Sequence, residues 1–383
     1  MLRPVLLTLA AASLVAAAAL DAGCGSDVRD HSSSSSDGGD GGVGFPSSAS
    51  STGPGGAGPG STGSGAHPPP PGPSHPGDGA GVVLAFSKLF LGDTDRQGAK
   101  SASAWKQFGF DIDGKISTEA STDLCAPAQG GKKSSVYPDG DSGIDNSFGK
   151  NLLPILSGVS ADYSTQVNES ISGGHFTILL DIAQLGAATD YNPLSTRAYR
   201  GGELGLAPKF DGSDAWPVRA DSLLNPGDLA SAKLQMPSSY VTGNTWVSGP
   251  SDAVLQLPLG SNGLDMTFTI HHVLLAMDLA PDHQSATNGT ISGVLDTEEF
   301  IAELKKFAGA FSPDLCSEST IESIANQMRQ TSDIMIDGTA GNPAQPCNAI
   351  SIGLGFDARQ MQLGGFQSAP PPAPDPCAPS PGG

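Results

Sequence analysis

The sequence predicts a mainly β fold: an antiparallel β-sandwich or jelly roll with a small C-terminal helical pair. Three observations carry that expectation. Short apolar or alternating runs bounded by Gly, Asn, Pro and Asp recur through the second half of the chain, and helical periodicity is confined to two consecutive late segments. No repeat with a period of roughly 20 to 50 residues marks a solenoid or propeller. Because the helices follow one another rather than alternating with strands, a parallel βαβ sheet is disfavoured.

The expected strands are "HFTILLDI" (175–182), "AVLQLPL" (253–259), "LDMTFTI" (264–270), "GTISGVL" (289–295) and "AISIGLGFDA" (349–358). In the third, Leu264, Met266, Phe268 and Ile270 alternate with Asp265, Thr267 and Thr269, so one face is buried and the other wet. The alternation fails after His271 and His272, which predicts a bulge there or a strand covered on both faces. The first helix, "DTEEFIAELKKFAGAF" (296–311), opens with an Asp or Thr cap and two acids, and Phe300, Ile301, Leu304 and Phe307 follow at helical spacing. The second, within 317–337, places Ile321, Ile324 and Met328 on one stripe.

The two ends state an address. Arg3 ahead of the apolar run Val5 to Leu20 reads as a secretory signal. Ala22 and Gly23 before Cys24 resemble the end of a bacterial lipobox, although Asp21 stands where that motif has Leu and Leu20 lies one position earlier. The resemblance implies lipidation of Cys24 and an outer-membrane or cell-surface location on a lipid anchor, with plain secretion as the alternative. The chain therefore divides into a signal peptide with an imperfect lipobox (1–24), a Ser/Gly/Pro-rich linker expected to be disordered (25–80), a β-rich domain (81–366) and a Pro-rich disordered tail (367–383).

With 19 Lys and Arg against 39 Asp and Glu, the formal net charge is -20, which excludes the basic footprint that nucleic acid requires. Five cysteines in an exported chain point to an oxidising compartment. With Cys24 lipidated, Cys125, Cys316, Cys347 and Cys377 remain; of their possible pairings, Cys316 with Cys347 and Cys125 with Cys377 is the expected one.

Candidate chemistry is concentrated in the early loops. Asp93 and Asp95 in "LGDTDRQG" resemble the first half of an EF-hand-type calcium loop, and Asp111 and Asp113 in "FDIDGKISTE" resemble its D-x-D-G-x-I centre. Both lack the ends of that loop: Ala104 replaces the closing Glu of the first, and Gly109 and Ala120 flank the second. Asp139, Asp141, Asp145 and Asn146 in "VYPDGDSGIDNSFGKN" form D-x-D-x-G-x-D-N, which resembles calcium loops of secreted bacterial and thrombospondin-like repeats. Carboxylates so closely spaced repel one another, and calcium, a hard cation that takes many oxygens, relieves the repulsion; Lys132, Lys133 and Lys150 are the competing neutralisers. Trp216 and Trp246 beside polar groups are candidate sugar-stacking platforms, and Glu169 and Glu203 candidate glycosidase carboxylates. His271 and His272 on opposite strand faces make a poor zinc pair. No G-x-S-x-G elbow, H-E-x-x-H helix or P-loop occurs.

Taken together, "FLGDTDRQG", "AWKQFGFDIDGKIST", "SSVYPDGDSGIDNSFGKN" and "ATNGTISGVLDTEEFI" resemble lipoprotein-type secreted proteins of myxobacteria over residues 84–365. That resemblance implies an exported single domain and no particular reaction. The functional expectation is a calcium-assisted module that binds a ligand such as an extracellular glycan. A secreted polysaccharide hydrolase and a structural envelope lipoprotein are the alternatives.

Overall fold

A computed structural model of the chain describes residues 66–159, 163–259, 264–371 and 376–377. The expected signal peptide, Cys24 and the linker up to residue 65 lie outside the described residues, as do the side chains of Leu264, Asp265 and Phe307. Nine strands are described: β1 (Val82–Phe90), β2 (Ile178–Ala183), β3 (Tyr191–Arg200), β4 (Ala215–Arg219), β5 (Leu234–Thr242), β6 (Thr245–Leu259), β7 (Leu264–Leu279), β8 (Ser285–Asp296) and β9 (Ala349–Gln367).

These strands do not divide into the two sheets of a sandwich or jelly roll. They run β1-β2-β3-β5-β6-β7-β8-β9, and β1 then pairs antiparallel with β9 from Val83↔Met361 to Phe90↔Gly355. The result is a closed eight-strand antiparallel barrel. One apolar face and one wet face suit a barrel wall as well as a sandwich sheet, and closure is decided by a pairing between the two ends of the domain. The short β4 lies outside the ring, parallel to the end of β9.

Inward residues on five of the strands are apolar: Leu84 and Phe86, Leu180 and Ile182, Leu255 and Leu257, Met266, Phe268 and Ile270, and Ile350, Ile352 and Leu354 join one buried cluster. Each such large side chain contributes roughly 1.5–3 kcal/mol by leaving water. The disruption expected after His271 is present: His272 has φ 53, and the β7–β8 register shifts between His271 and Leu274.

The late helices also form. Helix α4 (Thr297–Phe311) starts at Asp296, whose carboxylate accepts from the Glu298 and Glu299 amides at 2.9 Å each, and it buries Phe300, Ile301 and Leu304. Helix α5 (Glu318–Arg329) buries Met328. Beyond these, the long arm between β1 and β2 carries α1 (Lys133–Val136), α2 (Leu153–Val159) and α3 (Tyr163–Ser172), which sequence reasoning missed. Pro154 and Gly158 interrupt the pattern there, and Pro154 follows a π-helical turn, Phe148–Leu152, that runs directly into α2. Helix α3 packs against both β1 and β6, which are not neighbours in the ring, and so lies across one end of the barrel.

The rest of the arm covers the outside of β8 and β9, which explains why Ala349–Phe356 is buried on both faces. Gly353 permits that approach, because a Cβ there would stand 2.1 Å from the Phe108 carbonyl oxygen. Asn146 holds the contact. Its buried amide nitrogen reaches the carbonyls of Trp105 (3.1 Å), Phe108 (3.0 Å) and Gly353 (2.9 Å), while its oxygen accepts from the Gly149 and Gly353 amides.

Two boundaries and the disulfides need correction. Residues 66–80, assigned by composition to the linker, are laid along the barrel: His75 bridges Asn192, the Gly79 amide donates to Gln184, and Tyr191 Oη donates to Asp78. The tail is fastened as well, because Cys377 bonds Cys316, and Cys125 bonds Cys347. The expected partners are thus exchanged. The 125 and 347 segments already run together, with Cys125 N donating to Ala340 and Cys347 N to Ala126.

Asn146→Ala strands several buried backbone groups at once, so it should destabilise the protein by about 3 kcal/mol or more. The measurement is the shift in denaturant midpoint at unchanged slope. A loss within the ordinary surface range of about 0.5 kcal/mol would show that the arm is held elsewhere.

Candidate metal centre

The arm's two acidic motifs, separate in sequence, meet at one point. One oxygen from each of Asp111, Asp113 and Asp145 lies within 4.8 Å of the others. That spread is about twice a calcium–oxygen bond of ~2.4 Å, so one ion between them would touch all three.

Local chain geometry produces the convergence. Asp145 Oδ2 accepts from the Ile112 amide (2.7 Å) and the Asp113 amide (3.3 Å), and its own amide donates to the Phe110 carbonyl, which wraps residues 110–113 around it. The preceding turn reverses at Ser142 (φ 55) and Gly143 (φ 81). A Cβ on Gly143 would stand 2.9 Å from Ile116 and 3.4 Å from Asp111 Oδ2, so the turn closes over the carboxylate only with glycine there. Asp113 Oδ1 caps the Lys115 amide at 2.8 Å.

A second ring surrounds these three. Asp139 accepts from the Ser117 amide, and Asp333 accepts from the Ser351 amide of β9 at 2.8 Å. Asp333, from the segment after α5, was missed by sequence reasoning; its only signal is a lone acid followed by the apolar Ile334 and Met335. Burial, reinforced by neighbouring carboxylates, pushes Asp113 up to about 6 and Asp139 up to about 8. Asp333 is pushed up to about 7, and Asp145 is raised well above the usual carboxylate range, both first by burial. Burial also raises Asp111, against the opposing pull of His67, whose Nε2 lies 3.7 Å from Asp111 Oδ2. Of the three lysines considered, Lys150 is the one that acts on this group. Its Nζ donates to the Pro138 carbonyl at 2.7 Å, and Asp333 and Asp139 oppose the downward shift that burial imposes on it.

One independent feature favours an electropositive partner at this point. Asp111 is 3% exposed, and its Oδ1 is buried with no hydrogen-bond partner. A buried oxygen left so costs about 1–3 kcal/mol, which an ion would relieve. The Asp111, Asp113 and Asp145 cluster is thus suited to hold a metal ion.

The other expected ligands go elsewhere. Asn146 is a structural clamp: both ends of its amide are committed to backbone. Asp141 is exposed on its turn and lies outside the convergent set. Asp93 accepts from Ser164 Oγ, and Asp95 Oδ1 accepts from the Gln97 and Ala99 amides, which makes an Asx-type turn rather than a cation loop. Trp216 and Trp246 are both 0% exposed, so neither offers a face for sugar stacking. Trp216 Nε1 donates to the Gly202 carbonyl at 2.7 Å, and Trp246 belongs to the barrel core. Glu203 pairs with His175 at 2.7 Å, and Glu169 lies on α3, so neither joins the acidic group. Comparison with protein-family models, with curated proteins and with solved structures returns no match, so the geometry stands by itself.

The raised carboxyls give stability a sign with pH. The unfolded chain releases these protons near pH 4, whereas the folded chain holds them up to about 6 for Asp113, about 7 for Asp333 and about 8 for Asp139. Their favourable contribution is complete below the unfolded value and disappears as pH rises through the folded values. In chelator, the melting temperature should therefore fall between about pH 5 and pH 8, a window in which depressed acids such as Glu298 are already ionised. A flat profile would mean that the carboxylates are not confined together.

Proposed function

We propose that the chain is an exported binding scaffold in which a calcium ion ties together the two segments of the arm that cover the barrel. The observation that carries this reading is the convergence of Asp111, Asp113 and Asp145 around a buried, unpartnered carboxylate oxygen. All three donors are carboxylates, which favours a hard cation over zinc or copper. Calcium is preferred to magnesium because it accepts several protein oxygens at once in irregular geometry, whereas magnesium keeps most of its water.

The ion's role is structural. Its ligands sit on the loop at residues 110–113 and on the turn before Asn146, and those are the segments that cover β8 and β9. Binding an ion to the folded state alone stabilises that state by mass action. The glycan part of the expectation loses its aromatic platforms with both tryptophans buried, and the ligand chamber has to be sought in the barrel instead.

Calorimetric titration of the metal-stripped full chain with calcium chloride should show a saturable site near one ion per chain and a melting temperature raised by several degrees. Asp113→Asn should remove both effects, while Asp141→Asn, outside the cluster, should keep them. Absence of heat and of any thermal shift at millimolar calcium would overturn the proposal.

A further inference from the structure

The barrel is not filled. A cavity of about 340 Å³ runs into its lumen, walled by Phe86 of β1, Leu180 of β2, Met236 of β5, Leu255 of β6, Ile270 of β7 and Ile291 of β8. All six are buried members of the main core, so the inner part is apolar on every side named. An eight-strand ring is just wide enough to be packed by its own side chains or to hold one small ligand, and Ala198 of β3, also on the wall, is too small to fill its share. The volume falls within the ~300–1,000 Å³ usual for small-molecule sites, and an apolar cavity of only ~150 Å³ already stays dry and takes up benzene.

Strand pairing explains where it opens. Among the described residues, β5 and β6 are bonded beside their turn, at Tyr240↔Val247, Val241↔Trp246 and Thr242↔Thr245, and not along 234–239. β6 bends there through register shifts between Ser248 and Ala253, a stretch in which Pro250 has no N–H to give a neighbour. A slit is left between Leu234 and the 252–256 stretch. Val254, a large apolar side chain, is exposed on its lip, and Leu255 behind it is buried.

The charges at this mouth are of both signs, and each is engaged or in water. Asp221 accepts two bonds from Arg219, at 3.2 and 2.6 Å, while Asp252 accepts from the His272 amide at 3.1 Å and faces His271 at 3.5 Å. Arg200 lies over the Phe176 ring and donates to Gln256 Oε1 at 2.7 Å, so its guanidinium is a committed piece of the wall that ties β3 to β6. Lys233 is exposed, where an ion pair contributes little. An anionic head entering here meets two carboxylates, and a cationic head meets a guanidinium and an ammonium. The mouth favours neither sign.

We propose that the lumen binds one uncharged molecule with an apolar body, of the size class of a medium-chain alcohol, which enters between β5 and β6. Such a molecule takes apolar surface out of water and brings no charge that must give up its hydration. The inference rests on the binding-scaffold reading for its purpose, and the walls of the lumen include none of the calcium carboxylates. Calcium and alcohol titrations therefore fail independently.

The probes are decanol, decanoate and decylammonium, which share one chain length and differ in charge. Each is titrated by calorimetry at neutral pH into the full chain, cleared of co-purified lipid on a hydrophobic resin, in chelator and again in calcium. Decanol should bind saturably near one per chain, and the two ions about tenfold or more weakly. Ala198→Phe, which places a ring in the lumen from β3, should abolish decanol binding while the melting temperature of the unliganded protein stays equal or rises, as cavity filling does. Ala198→Leu, a smaller insertion for the case that the ring prevents folding, should weaken it. Absence of saturable decanol binding in both conditions would overturn the proposal. Undiminished binding in a folded Ala198→Phe protein would overturn the lumen as its place, and a charged probe binding as tightly as decanol would overturn the ligand class.

Discussion

The amide of Asn146 is the contact on which the outer half of this molecule depends. Where the arm lies, β8 and β9 are already paired to their neighbours in the ring, so the arm over them must be attached through side chains or through close backbone approach. Asn146 does both, satisfying carbonyls from the arm at Trp105 and Phe108 and one from the wall at Gly353. Gly353 and Gly355 supply the flat surface on which Phe108 lies, and Ser147 and Ser351 add a 2.8 Å bond one residue further along. Remove the amide, and buried polar groups on both layers lose partners together.

The acidic centre follows from that attachment. Asp145 immediately precedes the clamp, and Asp333 is held to Ser351 on the wall, so seating the arm forces carboxylates from three chain segments into one small volume. The cost of their crowding is visible in the raised carboxyls, and Lys150 offsets part of it. The Cys125–Cys347 bond ties the same arm to the strand that follows, across 222 residues of sequence. Covalent, hydrogen-bonded and ionic fasteners are thus grouped on one side of the barrel.

Much of the wall was legible. Met266, Phe268 and Ile270 alternate as a strand should, the cap at Asp296 opens its helix, and the loss of alternation after His271 marks a real change of register. Closure was not legible, because the β1–β9 ladder joins residues some 270 positions apart and leaves no local trace. The acid motifs were readable one by one as oxygen-rich loops. That Asp111 and Asp113 share a centre with Asp145, whereas Asp93 and Asp95 cap a turn, depends on how the arm folds back. Buried Asn146 and Asp333 were misread or missed for one reason: their partners are backbone groups far away in sequence, and composition says nothing about those.

The point where the described chain begins has a mechanical consequence. The Ala66 amide donates to the Ser142 carbonyl, and the Ala66 carbonyl accepts from the Asp111 amide, so the first described residue is stitched to the turn and loop that carry the acids. Tension delivered through residue 65 would load those two bonds before it reached any strand. Whatever stiffens the acidic knot therefore also sets how hard the molecule can be pulled at its base.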